Sequence, residues 1–246
     1  MRVIPLGVGD AFSERNYSSA LAVETSQGIL LVDCPHPIRK MLREASDASG
    51  VDLSPSHIVG VALTHLHADH ASGLESFAYF HHFAAGRRLR VLCHPAVAER
   101  LWDGHLAAGM EQLLPSVEGP HEARRLEDWI ELVSLDEHAP IALDGFEVRC
   151  RRTIHHIPTT AFRIRSGGRE LGYSADTAFD PTLIEWLAEA DLVVHETNFG
   201  VHTPYEKLAE LPAELRARMR LIHYPDSLDL DSSAIEPLRE GRVYEV

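Results

Sequence analysis

Residues 64–73 read Thr-His-Leu-His-Ala-Asp-His-Ala-Ser-Gly, which places His65, His67, Asp69 and His70 within six consecutive positions. Neutral imidazole and carboxylate are the donor set of borderline divalent metals, Zn²⁺ first, with Mn²⁺ or Fe²⁺ admitted as carboxylates are added. The run follows the apolar stretch Ile58-Val59-Gly60-Val61-Ala62-Leu63. The pattern therefore predicts a strand that ends in a loop and curls into a helix start, where the four side chains can converge. Donors this close in sequence cannot all reach one ion in a tetrahedral arrangement, so a closed site needs ligands from other strand ends.

Three downstream segments supply candidates. Thr153-Ile154-His155-His156-Ile157-Pro158 ends a strand-like run before a proline, with either His155 or His156 available as a donor. Gly172-Tyr173-Ser174-Ala175-Asp176-Thr177 ends a second run in an aspartate, and Leu221-Ile222-His223-Tyr224 ends a third in a histidine. Added to the first cluster, they complete a two-metal site in which Asp176 bridges.

The elements that must position these residues follow from periodicity. Strands are predicted near 1–6, 18–24, 28–33, 58–63 and 90–93, with helices at 38–45, 73–85 and 96–114. The second half repeats the rhythm with strands near 129–135, 144–154, 160–166, 170–175, 192–194 and 221–222, and helices at 181–189 and 204–210. Strand clusters bracketed by helices in both halves predict an α/β fold of two face-to-face sheets with helices outside, a four-layer αββα sandwich. No linker, low-complexity tract or repeat divides the chain, which reads as a single hydrolase domain over 1–246.

Composition narrows the function classes. With 23 basic and 37 acidic residues the formal charge is -14, and two bound divalent cations would leave it strongly negative. Such a field disfavours polyanions unless a local basic patch overcomes it, and the clusters at 87–90, 149–152 and 216–220 are short, so nucleic acid is not the expected partner. The N-terminal stretch lacks a signal-peptide apolar segment, and no run approaches the roughly 20 apolar residues of a membrane span. Cys34, Cys93 and Cys150 are odd in number and widely spaced, suiting buried thiols in a reducing compartment. A cytoplasmic protein is expected.

The chain resembles the metallo-β-lactamase fold superfamily: H-x-H-x-D-H, then a histidine, an aspartate and a last histidine on successive strand ends. The turn Leu6-Gly7-Val8-Gly9-Asp10 and the segment Leu31-Val32-Asp33 are similar to that superfamily as well. The resemblance implies one metal on His65, His67 and His155, a second on Asp69, His70 and His223, and Asp176 between them. It favours His155 over His156 because His155 precedes Phe162 by the interval at which the family ligand precedes an aromatic.

Within the superfamily, Val194-His195-Glu196-Thr197 resembles the H-E-A-T segment of ribonuclease Z-like phosphodiesterases, and Val201-His202-Thr203-Pro204 resembles their H-S-T segment. This implies phosphodiester hydrolysis in which Asp69 orients a metal-activated water and His202 protonates the departing alkoxide. His195 reads as a buried supporting histidine. Thr203-Pro204-x-Glu206 also reads as a capping box, which would set His202 just ahead of a helix N-terminus; its proton would then need a phosphate or Glu196 nearby.

The basic arm and P-x-K-x-R-N segment of transfer-RNA-maturing ribonuclease Z are missing here, and residues 100–120 read instead as an amphipathic helix over the core or a dimer contact. A small-molecule phosphodiester such as a cyclic nucleotide is therefore the expected substrate, as for the similar anti-Pycsar phosphodiesterases, and a homodimer is a possible assembly. The competing classes are a metallo-hydrolase of carboxylic esters, lactones or thioesters, a transfer-RNA 3′-processing endonuclease, and a non-catalytic binder of metal or nucleotide.

Overall fold

The computed structural model describes residues 1–246. Two seven-stranded sheets carry the chain. In order across the first are Tyr244–Glu245, Arg2–Gly7, Ala20–Thr25, Gly28–Val32, Ile58–Ala62, Leu89–Cys93 and Ile130–Ser134. Across the second are Glu236–Pro237, Met219–Ile222, Leu192–Glu196, Arg169–Tyr173, Thr160–Ser166, Phe146–Arg152 and Ile141–Leu143. Each sheet is antiparallel on one side and parallel on the other, with the change at Gly28–Val32 in the first and at Arg169–Tyr173 in the second.

Strand alternation explains the layering. In Gly28–Val32, Leu30 and Val32 face the core shared with the second sheet, alongside Val148, Phe162 and Tyr173, whereas Ile29 and Leu31 face the helices. Both faces are covered, so the strand is apolar at nearly every position, as a doubly buried strand must be. Helix Ile38–Ser49 buries Ile38, Met41, Leu42 and Ala45, the i, i+3, i+4, i+7 stripe of an amphipathic helix. Together with Leu74–Ala85 and the helical segments from Pro95 to Met110 it covers the first sheet's outer face. Pro181–Leu187 packs Leu183, Ile184 and Leu187 into the cluster that contains the second sheet. The predicted α/β sandwich of two sheets with outer helices is the architecture found.

Several elements depart from their expected bounds. The helix predicted to reach 114 ends at Met110, after a widened turn in which Ala107 N donates to Trp102 O. Gly104 and Gly109 weaken it and Pro115 cannot continue it, and Gln112–Leu113 instead pairs with Glu122–Ala123 in a small hairpin. The edge strands Glu236–Pro237 and Tyr244–Glu245 are two residues long and leave no periodic trace. No helix is long and apolar enough to cross a membrane. All three cysteines are buried and free.

Candidate metal centre

The carboxyl ends of the parallel strands from both sheets meet at one edge, where α/β folds place their ligands. Three of the four non-glycine residues with positive φ lie there: Asp33 at 63°, Ala175 at 52° and His223 at 57°. Left-handed backbone is costly for side-chain-bearing residues and concentrates at functional sites. Here each turns a strand end so that Asp33, Asp176 and His223 face inward. Gly73 serves by close approach rather than by φ: a Cβ there would lie 2.5 Å from Pro35 O and 2.7 Å from Cys34 O. That contact locks the helix carrying His70 onto the strand end carrying Asp33, with Cys34 N donating to His70 O at 2.8 Å.

Two donor groups form. His65, His67, His155 and Asp176 make one, and Asp69, His70 and His223 the other, each with its donor atoms within 4.8 Å of one another. His67 Nδ1 is 3.1 Å from His65 Nε2 and 3.2 Å from His155 Nε2. Asp176 lies between the groups, its Oδ2 3.7 Å from both His65 and His155 and 3.4 Å from His223 Nε2, its Oδ1 3.4 Å from His70 Nε2. Of the doubled histidines, His155 points into the cluster and His156 is exposed. His195 lies outside both groups, buried, with Nδ1 donating to the Glu196 carbonyl at 2.7 Å.

The donor chemistry fits divalent cations. Asp33 accepts from Thr64 N and from Thr64 Oγ1, and from His70 Nδ1 at 2.8 Å. His70 Nε2 is buried with no hydrogen-bond partner. Its neighbours are carboxylate oxygens of Asp69 and Asp176, each 3.4 Å away; burial opposes charge on His70, but Asp176 and Asp33 outweigh it and raise the imidazole well above its usual pKa, so without a metal a proton holds the position between these anions that a divalent cation would take. Thr64 Oγ1 also pairs with His65 Nδ1 at 2.9 Å, which turns His65 Nε2 inward.

Burial holds the His65, His67 and His223 imidazoles below their usual range and His155 at about 4. Neutral imidazole is the form that ligates. Burial opposes ionisation of Asp176, but His223, His70 and His65 outweigh it and keep the carboxyl well below the usual carboxylate range.

Beside the cluster, His202 Nδ1 lies 3.0 Å from Glu196 Oε1. Glu196 is buried at the end of Leu192–Glu196 and also accepts from Thr177 N at 2.8 Å. Burial pushes the Glu196 carboxyl up to about 7. Burial lowers the His202 pKa, yet the Glu196 bond and the charges of Asp176 and Asp69 reverse it and leave the imidazole above its ordinary value.

The expected capping box does not form. The helix runs Tyr205–Ala209 with Pro204 as its cap and no side-chain cap bond. Thr203 is buried and its hydroxyl donates instead to Thr177 O at 3.0 Å, because the loop is tied down onto the second sheet rather than onto the helix. His202 thus takes its setting from Glu196, not from a helix terminus. His202 also lies within 4.8 Å of Asp176 and His223.

The cavity over the cluster encloses about 350 Å³ and is lined by Phe12, Asp69, Asp176, Asn198 and His202 among others. Several of its supports were not singled out from sequence as site residues: Asp33 and Thr64 beneath the histidines, Ser19 with its hydroxyl 3.3 Å from His223 Nδ1, and the Asp10–Asn198 pair at 2.9 Å. The signals available were the Leu31-Val32-Asp33 segment and the Gly7-Val8-Gly9-Asp10 turn. A Cβ at Gly7 would fall 2.0 Å from Ser18 O, so only glycine lets this loop close on the site.

A family model described as anti-Pycsar protein Apyc1 matches residues 1–239. A protein of that description from Bacillus phage 010DV004 is 32% identical over 262 residues, covering 99% of this chain and 98% of its own. Among solved structures, the metallo-β-lactamase fold protein YhfI from Bacillus subtilis superposes with a TM-score of 0.76 at 19% identity, covering 99% of this chain and 98% of that one. The short form of human tRNase Z does so with a TM-score of 0.70 at 20% identity, covering 100% and 99%. By the match along nearly its whole length, this chain belongs to the anti-Pycsar protein Apyc1 family, built on the metallo-β-lactamase fold.

Proposed function

We propose that this protein is a metal-dependent phosphodiesterase acting on a small phosphodiester such as a cyclic nucleotide. The observation that carries the reading is the buried Glu196 holding His202 by Nδ1 at 3.0 Å beside the seven-residue donor cluster. Hydrolysis of an acyl ester or lactone has less need of a proton donor placed against the departing group, whereas expulsion of an alkoxide from phosphorus depends on one.

His65, His67 and His155 would hold one divalent ion, Asp69, His70 and His223 a second, with Asp176 shared by both. Bound there, such ions supply charge compensation at the phosphoryl oxygens and acidify water. The chain does the rest. Asp69 is kept ionised because His70 and His223 outweigh the effect of its burial, so it can accept a hydrogen bond from the attacking water and orient it. Glu196 accepts from His202 Nδ1–H and favours the doubly protonated ring, so His202 would give its other proton, on Nε2, to the leaving oxygen and remain as neutral imidazole with Nδ1–H still on Glu196. Asp33 and Thr64 fix the ring orientations of His70 and His65.

The size and charge of the site support a small substrate. A cavity of about 350 Å³ sits at the lower end of the roughly 300–1,000 Å³ typical of small-molecule sites. One arginine of each basic cluster is in an ion pair, Arg90 with Asp144 at 2.6 Å, Arg149 with Glu147 at 3.2 Å and Arg220 with Glu236 at 3.0 Å, and Arg87, Arg88, Arg151, Arg216 and Arg218 donate to backbone carbonyls, which reduces what the clusters offer a polyanion. The anti-Pycsar name borne by the relatives agrees with a cyclic nucleotide substrate.

The test is hydrolysis of a panel of cyclic nucleotides and of an acyl ester by metal-loaded wild type and His202→Ala, with bound metal measured in both. Cyclic nucleotide hydrolysis that collapses in His202→Ala at full metal content is expected. A dominant esterase activity indifferent to His202 would overturn the reading, and loss of metal in the variant would move His202 to the ligand set.

A further inference from the structure

The floor of the cavity is made of ligating side chains, but its mouth is apolar. Eight large hydrophobic side chains are exposed in the whole chain, and four of them stand on loops that carry or adjoin the site: Phe12, Ile154, Phe199 and Val201. Ile154 precedes His155, and Phe199 and Val201 precede His202. Phe12 differs from the other three in lining the cavity itself, where it is the only aromatic ring that is not an imidazole.

Phe12 is 88% exposed although its backbone is fixed. Phe12 N donates to Asp10 Oδ1 at 2.9 Å, and Asp10 Oδ2 accepts from Asn198 Nδ2 at 2.9 Å, which ties this turn to the loop carrying His202. On the other side, Ser13 Oγ donates to Asp226 Oδ1 at 2.6 Å and Glu14 N to Asp226 Oδ2 at 2.8 Å. A turn pinned on both flanks, with its largest apolar side chain left in water at the edge of a polar site, forgoes burial that any small polar residue would not need. Rigid placement of an exposed aromatic face is what a stacking surface requires, since little conformational entropy is then lost on binding.

We propose that Phe12 is the platform on which the planar, non-reacting group of the substrate stacks, a nucleobase when the phosphodiester is a nucleotide. The proposal rests on the phosphodiesterase reading and names how that substrate is recognised. The ligating floor takes the phosphodiester and Phe12 takes the base. Because every nucleobase has a π-face, this contact raises affinity for nucleotides as a class and discriminates weakly among them.

The experiment compares a 3′,5′-cyclic nucleotide with glycerol 1,2-cyclic phosphate, which has no base, on metal-loaded wild type, Phe12→Ala and Phe12→Tyr. The ratio of KM for the nucleotide to KM for the baseless ester is expected to rise about tenfold in Phe12→Ala, the order of one stacked base, and to return in Phe12→Tyr. Calorimetric binding of a cyclic nucleoside phosphorothioate should weaken by a similar factor in Phe12→Ala. An unchanged ratio in Phe12→Ala, or a ratio that stays raised in Phe12→Tyr, overturns the platform while leaving the phosphodiesterase reading intact. Wild type that cleaves neither compound overturns both.

Discussion

Asp33 Oδ2 stands 2.8 Å from His70 Nδ1, and both side chains are wholly buried. The carboxylate lies outside the ligand set proposed here, yet it decides which nitrogen of His70 carries the proton and therefore which one is left to face Asp69 and Asp176. Asp33→Asn would keep the shape and lose both the charge and the tautomer preference. Metal affinity is expected to fall by about 10- to 100-fold, measured by zinc titration against a competing chelator. An unchanged affinity would mean that His70 does not ligate through Nε2.

The Glu196–His202 pair makes a leaving-group prediction. His202→Ala and Glu196→Gln should slow hydrolysis of an alkyl phosphodiester by about 10²- to 10⁴-fold. A diester with a p-nitrophenol leaving group, which departs without protonation, should lose far less. Equal losses on the two substrates would remove His202 from the role of proton donor.

Removal of metal should destabilise the fold, because the buried carboxylates and imidazoles of the cluster then lack the cation that balances them. A ligand present at a hundred times its dissociation constant adds about 2.7 kcal/mol to native stability. For a chain of this size that is a Tm difference of about 5–10 °C. Melting curves after chelation, and again after adding back Zn²⁺ or Mn²⁺, measure it; curves that coincide would show that no ion is held by the folded chain.

A pH effect arises away from the centre, at His81. Its ring is buried beside Phe77 with neither nitrogen hydrogen-bonded, and burial, helped by the Arg87 charge, lowers its pKa to about 4. The folded protein thus refuses a proton that the unfolded chain takes up near pH 6.5. Stability should fall as the pH drops from about 6.5 towards 4, by at most about 1.4 kcal/mol per pH unit from this residue. In His81→Leu that contribution disappears, so urea unfolding at pH 7 and pH 5 should show a shallower acid loss in the variant. Parallel losses would show that His81 is not proton-linked.

Much of this was legible along the chain because the chemistry is local to strand ends. His65, His67, Asp69 and His70 lie within six positions, and His155, Asp176 and His223 each follow an apolar run, so residue type and spacing marked these seven, which converge together with His202. The near-continuous apolar strands and the i, i+3, i+4, i+7 stripe of Ile38–Ser49 likewise marked the layers. The helix near 205 was legible too, but its cap was not, since Pro204 rather than Thr203 takes the cap position and the Thr203 hydroxyl is held at Thr177 O, 26 residues back along the chain.

By itself the sequence determined the two-sheet sandwich and the density of metal donors at its strand ends, because side-chain periodicity and ligand type are properties of short segments. Tertiary structure decided which of two adjacent histidines faces the cluster, that Asp33 orients His70, that Glu196 rather than a helix terminus holds His202, and that Phe12 overhangs the cavity. Each of those depends on a contact between strand ends from different parts of the chain. Burial and the direction of a lone pair are set only once the two sheets have closed.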